Sequence, residues 1–202
     1  MPIDLFALET IRSRAEACNA CGLRSYRNEL VFADGDGSQK IMLIGEAPGV
    51  EEDLTGIPFV GPAGQLLNEL FLEAGINRRD IYICNVLKCR PINNASPTVA
   101  QATSCRVFLL RQIQLIQPEL IISMGNPASQ LLLAGVFANG KVPGITQIRG
   151  QEYETPGGRI VFPVFHTAYI LRDMSKMDIM KEDMQEIARR YRRIYNLKEM
   201  GS

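Results

Sequence analysis

Residues 40–64 read KIMLIGEAPGVEEDLTGIPFVGPAG, an apolar run that passes straight into a glycine-punctuated loop carrying four carboxylates and a phenylalanine. Ile41, Met42, Leu43 and Ile44 show no polar alternation, the pattern of a strand covered on both faces in a parallel sheet. Gly45 to Gly49 interrupt that run. The loop therefore opens at the carboxyl end of the strand, where open α/β sheets gather their ligands.

Working outward, Pro62 to Ala74 predicts a helix, because Leu66, Leu67, Leu70, Phe71 and Ala74 form one stripe and Gly75 is a natural stop. Residues 81–86, 119–124 and 160–163 predict three more strands. Between them, Ser96 as cap and Pro97 in the first turn start a helix running to Ile116, and Gly125-Asn126-Pro127 starts one ending at Leu133. Residues 3–16 read as a helix on weak periodicity, residues 25–39 as irregular, and residues 135–159 as a small β-prone excursion around Ile148 and Tyr153. In the last helix, 178–197, Met180, Met184, Ile187, Tyr191 and Ile194 recur at helical spacing. These elements predict an α/β fold, a four-stranded parallel sheet flanked by helices on both faces. With no repeat or linker, residues 1–202 are expected to form a single domain.

Lysine plus arginine number 22 and aspartate plus glutamate 22, so no global field draws the chain to a polyanion, and a nucleic-acid partner would need a local patch. The basic run at 189–193 is read as the solvated end of the last helix. No apolar run reaches the roughly 18 residues of a membrane span and the N-terminus is not built like a signal peptide, which predicts a cytoplasmic protein with no membrane partner. Whether Gly201-Ser202 belong to the natural protein is not decided by sequence.

Five cysteines without an export signal point to metal or cluster ligation rather than disulfides. Cys18 and Cys21 form a CxxC pair, and Cys89 and Cys105 are further contributors to the same centre. Cys84 is read as a buried thiol, since it lies mid-strand on the face opposite Asn85. Spacing leaves zinc and a 4Fe-4S cluster both open.

Among the loop carboxylates, Glu46, Glu52 and Asp53 are candidates for chemistry, while Glu51 is read as a solvated acid. Asn85 ends a hydrophobic strand, where an amide is costly unless partnered and can read the edge of a nucleobase. His166, the only histidine, also follows an apolar strand. A lone histidine is more often structural, but Glu46, Asn85 and His166 all lie at strand ends that a parallel sheet gathers on one side. Phe59 is either a stacking platform in the same cleft or a core side chain.

Taken in order, GEAPG, EDLTGIPFVGPAG, NVLKCRP, the cysteine sixteen residues on and FH after the fourth strand resemble the iron-sulfur, family 4 uracil-DNA glycosylases. The resemblance runs over residues 18–172. It implies a 4Fe-4S cluster on Cys18, Cys21, Cys89 and Cys105, excision of uracil from single- or double-stranded DNA, and a monomer. By position it implies that Phe59 stacks on uracil, Asn85 bonds its edge, His166 donates toward O2, and Gly45 and Ala47 border the base. Glu46 and Glu52 would lie in the acidic motif that positions water or stabilises the sugar cation. No lysine is placed for a lyase step, so a monofunctional enzyme is expected. The cluster is expected to be structural, tying the chain's start to the segments beyond Asn85 rather than facing the acidic loop. The sequence departs from the family at Thr167, where proline is usual, and at Asp173-Met174, where asparagine-proline is usual. Those departures motivate two alternatives: a shifted base specificity such as hypoxanthine, or a non-catalytic protein that binds uracil or DNA.

Overall fold

A computed structural model describes residues 5–197. Its strands are β1 (Ile41–Gly45), β2 (Ile81–Asn85), β3 (Leu120–Met124), β4 (Tyr153–Glu154) and β5 (Ile160–Val164). Its α-helices are α1 (Leu5–Glu16), α2 (Val50–Thr55), α3 (Pro62–Ala74), α4 (Val99–Ile116), α5 (Gly125–Leu133), α6 (Ile145–Ile148), α7 (Thr167–Arg172) and α8 (Met177–Ile194). Four strands pair in parallel, in the order β2-β1-β3-β5, and β4 adds a short antiparallel edge to β5. The sheet thus has five strands where four were expected. Tyr153 and Glu154 are the extra pair, too short to register as a period in sequence.

Every residue of β1, β2 and β3 is buried, which is why these strands read as mostly apolar runs without alternation. Successive side chains leave on opposite faces. Ile41, Leu43, Ile81, Ile83, Leu120 and Ile122 pack with α3, α7 and α8, whereas Met42, Ile44, Tyr82, Cys84 and Ile121 pack with α1, α4 and α5. The Met180, Met184, Ile187 and Tyr191 stripe of α8 is buried as its spacing predicts. Cys84 is a buried thiol on the second face, as expected.

Three local expectations change. Residues 50–55 form a helical turn rather than loop, so Glu51, Glu52 and Asp53 occupy its first turn, where carboxylates complement the helix dipole. The cap of α4 is Thr98, not Ser96: its hydroxyl accepts from Gln101 N and the Gln101 side chain accepts from Thr98 N. Part of the expected excursion, Ile145–Ile148, is a helical turn. Positions 3 and 4, expected in the first helix, and Gly201-Ser202 lie outside the described residues. No helix among the described residues is long and apolar enough to cross a membrane.

The order β2-β1-β3 places successive connections on opposite sides of β1, so the crevice beyond the carboxyl end of β1 is a topological switch point. Glu46, Asn85, Gly125 and His166 all lie at or just past the ends of the parallel strands.

Candidate active site and thiol centre

A cleft of about 740 Å³ opens at that switch point. Glu46, Ala47, Glu52, Phe59, Asn85 and His166 line it together, along with Asn94, Ser96 and Arg172. Six residues picked from sequence therefore share one cavity.

Gly45 sits opposite Asn85 in the β1–β2 register. A side chain at position 45 would lie 2.4 Å from Asn85 Oδ1 and 2.5 Å from Phe59 Cζ, so glycine there is the condition for amide and ring to meet. Asn85 is 2% exposed and its Oδ1 has no hydrogen-bond partner within the protein. Leaving a buried acceptor unmade costs about 1–3 kcal/mol, a reason to expect a ligand donor at this atom.

Phe59 is buried with its backbone in the left-handed region, at φ 55°, a conformation an aromatic residue holds only under constraint. The constraint is Arg78. Its guanidinium donates to the Phe59 carbonyl at 3.3 Å and to the Pro58 carbonyl at 2.8 Å, and is anchored by Asp34 at 2.9 Å. Gly64 permits the turn, since a Cβ there would fall 1.9 Å from the Phe59 carbonyl oxygen. Arg78 carries no sequence signal, because its role depends on two carbonyls about twenty residues away. Phe59 packs in the core and also lines the cleft.

His166 caps α7: its Nδ1 accepts from Ala168 N at 3.1 Å. A ring whose Nδ1 accepts carries its proton on Nε2. Burial pushes its pKa down to about 4, with the Arg172 charge acting in the same direction and Glu52 opposing. The imidazole is thus neutral and its free Nε2–H is a donor. Its ring lies against Phe59 with centroids 5.6 Å apart and planes inclined by 23°.

The two carboxylates differ. Burial raises the Glu46 carboxyl above the usual range, against the Ser96 hydroxyl and the Arg172 charge, which lower it. Glu52 instead spends its oxygens on backbone: Oε2 accepts from Gly49 N at 3.0 Å, and Oε1 from Val60 N at 2.9 Å and Gly61 N at 2.8 Å. It staples the start of α2 to the loop that carries Phe59. Asp53 likewise serves structure, accepting from Asn28 N and Asn28 Nδ2 at 3.1 and 2.7 Å. Glu51 is exposed.

Ser96, Arg172 and Asn94 were not singled out as site residues from sequence. Asn94 has φ 54° and its Oδ1 accepts from Arg90 Nε at 2.7 Å. Asparagine's tolerance of that backbone region is the one hint sequence offers. Thr167, which replaces the usual proline, is fully buried, its hydroxyl is unpartnered, and it does not line the cleft.

Behind the acidic loop, Cys21, Cys89 and Cys105 pack with Leu23, Leu87 and Phe108 in one apolar cluster that Ala47 also touches. The thiols therefore abut the acidic loop through Ala47, closer than expected. Cys18 stands in the field of Cys89, so all four thiols share a neighbourhood. Three sulfurs accept N–H bonds: Cys18 from Ala20 N at 3.5 Å, Cys89 from Arg27 Nη1 at 3.2 Å, and Cys105 from Lys88 N at 3.4 Å. Among the described residues no three His, Cys, Asp or Glu side chains gather to hold a single metal ion. Two buried and two partly buried thiols, three of them accepting N–H bonds and one of those from an arginine, suit a thiolate-bound, anionic metal group.

The sequence model of the uracil DNA glycosylase superfamily matches residues 32–191. A type-4 uracil-DNA glycosylase from Thermotoga maritima is 43% identical over 181 residues, 89% of this chain and 92% of its own length. Those from Sulfurisphaera tokodaii and Archaeoglobus fulgidus are 36% and 35% identical, over 90% of this chain and 83% and 92% of theirs.

Proposed function

The chain belongs to the uracil DNA glycosylase superfamily, alongside its type-4 members, and from that premise we propose that it is a monofunctional, monomeric glycosylase hydrolysing the N-glycosidic bond of uracil in single- or double-stranded DNA, with a structural 4Fe-4S cluster. The observation that carries this reading is the pairing of a neutral His166, its Nδ1 occupied and its Nε2–H free, with the unpartnered buried Oδ1 of Asn85 in one cleft.

The target base must leave the helical stack, at a cost of a few kcal/mol, to enter the cleft. A base between two rings needs two gaps of about 3.5 Å each, more than the 5.6 Å between Phe59 and His166. The base therefore stacks on Phe59 and meets His166 edge-on. Asn85 reads the base edge. As the glycosidic bond breaks, negative charge grows on the base and positive charge on the sugar. His166 Nε2–H donates to the base oxygen where that charge collects. A neutral donor does so without the desolvation that a buried imidazolium would require. Glu46, with its carboxyl raised toward working pH, takes the sugar side, as counter-charge or as base to a water. Glu52 acts through the loop it staples.

Cys18, Cys21, Cys89 and Cys105 would hold the cluster, which supplies no step in the hydrolysis and ties α1, the loop after β2 and α4 together. The replacements behind a shifted base preference, Thr167 and Asp173-Met174, lie outside the cleft lining, which favours uracil as the base.

The test is excision from a uracil-containing oligonucleotide, developed with hot alkali, by wild type and His166→Ala. Wild type is expected to cleave and the variant to lose most of that rate. An intact substrate with wild type, beside a working control enzyme, would overturn the reading. Colourless wild-type protein that contains zinc and lacks iron and sulfide after anaerobic purification would overturn the cluster.

A further inference from the structure

Lys88 is 1% exposed, the largest departure in this protein from the rule that lysines stay at the surface. Among the described residues no carboxylate pairs with it. Its ammonium donates to the backbone carbonyl of Asn85 at 2.8 Å, hydrogen-bonds the buried Cys84 sulfur and lies 5.6 Å from the centre of the Phe32 ring. A carbonyl, an aromatic face and a Cys84 thiol that burial keeps in its neutral form offer partial charges, and none balances a full positive charge removed from water.

The balance available is the thiol centre. The Lys88 backbone N–H donates to Cys105 Sγ, and the next residue is Cys89. The other cation at the centre, Arg27, is already committed to Glu16 as well as to Cys89. With the irons' charge counted, a cluster held by four thiolates is still net negative, and Arg27 offsets only part of it.

We propose that Lys88 is a positioning residue joining the four-thiol centre to the base-reading amide: it takes its counter-charge from the cluster-bound thiolates and holds the Asn85 carbonyl with its ammonium. This rests on the cluster assignment above. Asn85 is the last residue of β2, and its side chain has little freedom between Gly45 and Phe59. Tilting its carbonyl turns the amide away from the base. Assembly of the centre therefore prepares the uracil pocket, and a substitution at Lys88 is felt at both places.

The experiment compares wild-type holoenzyme with Lys88→Met, which keeps length and apolar contact but removes charge and donor, and with Lys88→Arg, which keeps both. The readouts are iron and sulfide content, the reduction midpoint of the cluster, and kcat and KM on a uracil oligonucleotide. In Lys88→Met the midpoint falls, because a nearby positive charge favours the more negative, reduced cluster. Its kcat falls about 10- to 100-fold with KM for DNA little changed, since a displacement near 1 Å at a reading group costs on that order. Lys88→Arg restores the midpoint. If Lys88→Met fails to assemble a cluster, Lys88→Arg decides: assembly with the wild-type midpoint supports the charge role, and equal failure overturns it in favour of simple packing. Lys88→Met with wild-type midpoint and kcat overturns the inference, and so does a shifted midpoint with unchanged kcat. Wild type without iron and sulfide overturns the cluster assignment itself, an outcome separate from all of these.

Discussion

Replacing Glu52 with glutamine separates a residue that builds the acidic loop from one that acts on substrate. The carboxylate accepts three backbone N–H bonds, from Gly49, Val60 and Gly61. A glutamine can keep its oxygen on the Val60 and Gly61 donors, but its NH₂ then faces the Gly49 N–H, donor against donor. The two retained bonds fall from charge-assisted to neutral, a loss of about 1 kcal/mol each, and the third is lost at about 1–2 kcal/mol. Glu52 is buried, so solvent screening rescues little of this. The expected destabilisation is about 3–4 kcal/mol in urea unfolding, a large share of a typical domain's stability. Excision falls with it, because the loop stapled at Val60 and Gly61 carries Phe59. Glu46→Gln is expected to do the reverse, losing activity while unfolding within about 1 kcal/mol of wild type. A Glu52→Gln protein as stable as wild type yet inactive would refute the staple and put Glu52 in direct contact with substrate.

The pH profile follows from the two shifted groups. His166 is neutral down to about 4, so excision should show no inflection near 6.5, while the rate falls on acidification as Glu46 protonates through its raised value. For stability the sign is set by a folded-state histidine pKa below the unfolded one: the unfolded chain takes up the proton first. Stability therefore declines by up to about 1.4 kcal/mol per unit as pH drops from 6.5 toward 4, and His166→Gln should flatten that slope in urea titrations. Gly45→Ala places a Cβ against Asn85 and Phe59, so single-turnover excision should drop on the order of 100-fold; near-wild-type activity would mean these groups do not set the pocket. Thr167→Val removes a buried hydroxyl without a partner, and thermal unfolding should report a gain of about 1 kcal/mol with excision unchanged. A loss of activity there would show that position 167 reaches the substrate.

Much of the fold and site was legible along the chain. Ile41 to Ile44, Ile81 to Cys84 and Leu120 to Ile122 are runs without polar alternation because parallel strands are covered on both sides, and that burial writes itself into the sequence. Asn85, Glu46 and His166 stood out because each is polar at the end of such a run, where only a site tolerates it. The thiols announced themselves by count and spacing. What stayed hidden depends on distances between segments far apart in sequence. Glu52 and Glu51 are adjacent acids, yet one staples three amides and the other meets water, since the turn of α2 points them in different directions. Arg78 holds Phe59 across 19 residues, and Thr167, adjacent to His166, turns into the core.

By itself the sequence determined the parallel sheet, the side of it that binds, and the residue types gathered there, because burial and strand ends are local properties of a chain. Only the tertiary structure decided which carboxylate is taken up by backbone amides, which His166 nitrogen accepts a backbone N–H, and that a buried lysine stands between the thiols and Asn85. A hydrogen bond or a counter-charge acts over a few ångströms in space, and periodicity along a chain does not encode that separation.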